Sequence, residues 1–110
     1  MNHVPDAVVT AIDRFGEQLL LGDASGVSGT LRDDLQIEIS PPDGSSAICR
    51  YKTVHTHSPP TLRDRGSFVT TIVDAVDSRL QQWGIDPPPA YHYVDTVTDT
   101  HQYEGVLQLP

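Results

Sequence analysis

Apolar residues recur along the chain at two different periods. From Thr61 to Ile85 they fall at Leu62, Val69, Val73, Val76, Leu80 and Trp83, a spacing of three, four and seven that puts them on one stripe of a 3.6-residue helix. Thr61 with Asp64 three residues later makes a start signal after the Ser58-Pro59-Pro60 break, and Gly84 with the prolines from Pro87 makes a stop. A second helical stripe, Val8, Ile12, Phe15 and Leu19, opens after Pro5-Asp6 and closes at Gly22 and the loop containing Gly26. This stripe is narrow and Gly16 interrupts it, so docking on a sheet, not intrinsic propensity, must hold the helix.

The period changes to two elsewhere. Leu35, Ile37 and Ile39 alternate with Gln36, Glu38 and Ser40, the mark of a strand with one wet face. Pro41-Pro-Asp-Gly-Ser-Ser46 is turn chemistry, so a hairpin is predicted with the next run, Ala47–His57. Ala47, Cys49, Tyr51, Thr53, His55 and His57 share one face of that strand; Ile48, Arg50, Lys52, Val54 and Thr56 share the other. Beyond the long helix, Pro87–Ala90 reads as a stiff connector, and Tyr91–Val97 and Tyr103–Leu109 read as strands around a polar turn near Asp99-Thr100. The order α-β-β-α-β-β predicts one α+β domain over residues 1–110, with two helices packed on one face of a mainly antiparallel sheet.

Composition narrows the function classes. A net charge of −8 over 110 residues argues against a sequence-independent grip on nucleic acid, which needs basic surface. No run has the apolar length of a membrane span, and Met1-Asn-His-Val-Pro-Asp6 has no signal-peptide pattern, so a protein made in the cytosol and independent of membranes is expected. The single cysteine, Cys49, leaves no internal disulfide and is expected to act as a small buried apolar residue. Aspartate outnumbers glutamate, and Lys52 is the one lysine among the basic residues. That bias resembles proteins of salt-loving archaea and their viruses, whose self-repelling surfaces are screened in concentrated salt.

One local pattern points to chemistry. His55 and His57, two apart on a strand, point the same way and would present two ligands to zinc. The metalloprotease-like deubiquitinase family uses such a pair with a downstream aspartate and an upstream glutamate. Glu38 stands where the glutamate would be, but Asp64 comes too early and position 68, where the aspartate is expected, is Phe. The alternative to a metal-dependent hydrolase is that the pair fills a surface or interface. There is no phosphate-binding glycine loop and no two separated His-x-Thr units, and His3, His92 and His101 have no partner recognisable in sequence.

The element order, the strand Tyr51-Lys-Thr-Val-His-Thr-His57, the helix Asp64–Val76 and the closing run Thr98–Leu109 together resemble the tail terminator, or tail-completion, proteins of long-tailed viruses. The resemblance implies a structural virion protein, made in the host cytoplasm and located in the tail and neck. In that family a ring, commonly of six copies, sits on the head-proximal end of the tail tube, stops tube growth and joins the tail to neck or connector proteins. No catalytic residue, cofactor or metal is implied, and the residues of interest become subunit contacts. Phe68, Ile72, Ala75 and Arg79 form a second strip beside the core stripe of the long helix: either a contact between copies or a surface that the first helix covers. Arg50 and Lys52 are either a solvated pair or one side of a seam with the acidic turn Asp95–Asp99 of a neighbour.

Overall fold

A computed structural model of the chain describes residues 4–22, 25–32, 35–54, 67–94 and 100–110. Within them the order is α1 (Asp6–Leu20), β1 (Val27–Arg32), β2 (Leu35–Ile39), β3 (Ser46–Val54), α2 (Ser67–Gln82), β4 (His92–Val94) and β5 (Thr100–Gln108). The strands form one antiparallel sheet in the order β1-β2-β3-β5-β4. This is the expected α+β architecture with one strand more than the apolar alternation indicates.

The additional strand, β1, has a physical reason for its weak signature. Its inward positions are Val27, Gly29 and Leu31, and a side chain at Gly29 would meet Phe15 of α1, whose Cζ lies 3.3 Å from the place a Cβ would take. The helix fills the space that an apolar strand residue would otherwise claim, so the period-two pattern is broken at its centre. A bulge between Thr30 and Arg32 interrupts the register further.

Two faces of the sheet differ sharply. Leu35, Ile37, Ile39, Ala47, Cys49, Tyr51, Tyr103 and Leu107 point inward and are buried together with Val8, Ile12, Phe15 and Leu19 of α1 and Ile72, Val73, Val76 and Leu80 of α2. Both helices therefore supply their stripes to one face, as the patterning requires. Gly16, the defect in the α1 stripe, is where Trp83 seats: a Cβ there would stand 2.8 Å from Trp83 Cγ. After α2, Gly84 takes φ of +83° and the chain closes with Ile85 N–H donating to Leu80 C=O and Gly84 N–H to Gln81 C=O, both at 3.0 Å. Leu80 and Ile85 are both fully buried, which adds the apolar contact of this glycine-ended stop.

The connector after Ile85 runs along β5. Asp86 exchanges backbone hydrogen bonds with Gln108 at 2.8 and 3.1 Å, and β4 pairs again from His92 opposite Glu104. Between these points Pro88 tucks in against Gly105, where a Cβ would be 2.6 Å from Pro88 Cβ. Three prolines and a three-residue strand thus occupy this edge, leaving few backbone groups to pair with another strand.

Candidate functional site

The outer face of the sheet, which neither helix covers, collects the polar members of each strand. Register places Glu38 of β2, Arg50 of β3 and Glu104 of β5 in one row, with Gln36, Lys52 and Gln102 in the next. Arg50 Nε donates to Glu104 Oε2 at 2.7 Å, its Nη2 lies 2.6 Å from the same oxygen, and its Nη1 donates to Glu38 Oε1. Lys52 Nζ lies 3.9 Å from Glu38 Oε2. Partial burial disfavours the Arg50 charge, but the hydrogen bonds it donates to Glu104 and Glu38 outweigh that and hold the guanidinium above its ordinary pKa. Arg50 and Lys52 are consequently engaged within their own sheet, and the acidic turn Asp95–Asp99, the other side of the expected seam, lies outside the described residues.

An apolar groove adjoins this charged row. Ile48 and Val106 face each other across β3 and β5 and are 40% and 48% exposed. With Pro87, Pro89, Ala90 and Val94 they line a cleft of about 490 Å³. Glu104 and His92 lie on its polar side. The walls of the cleft come together through long-range pairing: the β3–β5 register sets Ile48 opposite Val106, and the prolines follow the Asp86–Gln108 bridge.

The second strip of α2 is turned toward α1. Ile72 is 1% exposed and belongs to the core, Ala75 is half-buried, and Arg79 grips Asp13 of α1 through Nε to Oδ1 at 2.7 Å and Nη2 to Oδ2 at 3.0 Å. Trp83 Nε1 donates to the same carboxylate at 3.2 Å. The Arg79 hydrogen bond, followed by that of Trp83, holds the Asp13 carboxyl below its usual range. Ile72 is therefore covered within the chain, because the narrow α1 stripe needs a partner and α2 provides it, while the Arg79 side chain, paired with Asp13, stays 41% exposed. The side chain of Phe68 lies outside the described residues.

A buried polar group beneath the sheet was not anticipated. Tyr91 Oη donates to Asp77 Oδ1 at 2.7 Å, and the Tyr91 ring meets Tyr51 edge-on with centroids 5.1 Å apart. Burial pushes the Cys49 thiol up to about 12, aided by the nearby Asp77 charge, so this cysteine is a packed, protonated side chain and not a nucleophile. The signal for this group is present in sequence: Asp77 lies four residues after Val73 and three before Leu80, on the apolar stripe itself.

His55, His57 and Asp64 lie outside the described residues. Glu38, the acid-base candidate, is held by Arg50 and Lys52. Among the described residues no group of three or more His, Cys, Asp and Glu gathers as a metal site would require, and no helix is long and apolar enough to cross a membrane. Compared with known proteins, the chain matches no family model, no curated sequence and no solved structure.

Proposed function

We propose that this chain is a structural assembly protein that forms a ring at the head-proximal end of a viral tail tube, ending tube growth and joining the tail to the neck. One observation carries the reading: both helices lie on the same face of the sheet, and the opposite face is left at the surface with its charges paired in rows and an apolar groove at its side. A sheet face whose ionic groups satisfy one another offers shape and apolar contact to another protein more than it offers reactive groups to a small substrate. The resemblance to tail terminators read from the sequence agrees with this use, and the acidic composition fits assembly in concentrated salt. The ring would take tail tube and neck or connector proteins as its partners and need no cofactor.

The test is native mass by light scattering in molar salt, with metal determined on the same peak and the peak imaged by electron microscopy. Closed rings free of stoichiometric metal are the expected result. A monomer carrying about one zinc per chain would overturn the reading and turn attention to His55 and His57.

A further inference from the structure

We infer that Arg14 guards the open edge of the sheet: its guanidinium, bonded to the Ser28 carbonyl, keeps β1 from pairing with β1 of a second copy. The inference is independent of the ring reading and assigns no ring contact. It begins from a difference between the two edges. At β4 three prolines and a short strand block further pairing, whereas β1 contains no proline and, among the described residues, has no strand beyond it.

Register fixes which groups this edge presents. Ser40 N–H donates to Ile48 C=O at 2.9 Å, in step with Ile39 opposite Cys49. The even positions of β2 therefore turn their main-chain groups to β3, and Ile37 and Ile39 turn theirs to Gly29 and Val27 of β1. Ser28 and Thr30 are left with N–H and C=O aimed out of the sheet. Arg14 Nη2 of α1 donates to that Ser28 carbonyl at 3.0 Å, and the guanidinium carbon lies 5.4 Å from the centre of the Phe15 ring. Among the described residues no carboxylate pairs with Arg14, unlike Arg50, Lys52 and Arg79. Its charge at the edge is uncompensated.

Without Arg14 this edge is self-complementary. Ser28 and Thr30 stand on either side of Gly29, so a two-fold axis at Gly29 sets Ser28 of one copy opposite Thr30 of the other, each pair exchanging both of its hydrogen bonds. Ala7, Thr10 and Ala11 line the groove between α1 and β1, and such small side chains let two first helices approach. Arg14 opposes the pairing in two ways. It occupies a carbonyl that the second strand needs, and its Nη2 lies 3.1 Å from the place a Gly29 Cβ would take, so the axis brings two uncompensated guanidinium groups together. Salt gives the guard its importance. A net charge of −8 keeps copies apart in dilute buffer, but at 1 M the screening length falls to about 3 Å, and the edge then depends on protection that acts at contact.

The experiment uses the full chain in molar sodium chloride as wild type, Arg14→Lys, Arg14→Gln and Arg14→Met. Sedimentation gives the mass over a range of concentrations, and amide hydrogen exchange reads Ser28 and Thr30 on the edge itself. In the wild type both amides should exchange fast at every concentration. The two neutral variants should gain mass over the wild type as concentration rises, with both amides slowed at least about tenfold. Arg14→Lys, which keeps a charge and a donor, should stay at the wild-type mass. Folded neutral variants with unchanged mass and fast amides would overturn the inference, as would added mass that leaves these amides fast, or a lysine variant that associates as fully as the neutral ones. A wild type whose edge amides are already slow would overturn it too. Loss of far-ultraviolet circular dichroism in both neutral variants would make Arg14 a residue of the fold and overturn its role as a guard.

Discussion

Two tyrosines on the inner face show how much turns on a single hydroxyl. Tyr91 spends its hydroxyl on Asp77, whereas the hydroxyl of Tyr103 is buried with no hydrogen-bond partner among the described residues. A buried donor left unpaired costs about 1–3 kcal/mol. Tyr103→Phe keeps the ring against Tyr93, 5.4 Å between centroids, and deletes only the unpaired group. Its midpoint in urea should therefore rise, by the equivalent of about 1 kcal/mol. Tyr91→Phe should move the midpoint the other way, because it leaves the buried Asp77 carboxylate short of a donor. Equal effects of the two substitutions would mean that ring packing, and not hydrogen bonding, governs both sites.

Among the elements, the junction of α1 with α2 is closely fitted. Gly16→Ala would ordinarily favour a helix by about 1 kcal/mol. Here the added methyl would lie 2.8 Å from the root of the Trp83 indole, which is also tied to Asp13. Overpacking of that kind costs about 1–3 kcal/mol, so a net loss of stability on denaturant unfolding is expected. A gain would show that the indole moves freely. The residues of this junction also mark what was legible in sequence. Val8, Ile12, Phe15 and Leu19 state the buried face of α1 outright, as Leu35, Ile37 and Ile39 do for β2, because each side chain there meets a filled core. Gly16 and Gly29 read as defects in a pattern, since the atoms that occupy their space belong to Trp83 and Phe15, far away in sequence or on another element. The same holds for the proposed site: the Ile48 and Val106 pair and the proline wall come together only through register, and the Arg50 row through strand order.

For the whole molecule, two electrostatic effects compete. The net charge of −8 opposes compaction, while the Arg50 and Arg79 ion pairs favour it. Raising salt from 0.1 M to 1 M shortens the screening length from about 10 Å to about 3 Å. Ion pairs in contact lie within that distance, and the repulsion among the remaining carboxylates acts over longer ones. Thermal melts should thus shift upward between dilute and molar sodium chloride; a downward shift would mean that the ion pairs dominate. The ladder between β3 and β5 carries a consequence of a different kind. It is the longest in the sheet, from Ser46 opposite Gln108 to Val54 opposite Thr100, and Arg50 and Glu104 at its middle are 54 residues apart. Closing so long a loop comes before any of its reward. The β2–β3 hairpin can form early, but while the chain is being synthesised β3 exposes an unpaired edge until Gln108 has left the ribosome. The moment of greatest vulnerability to misassembly is therefore during translation.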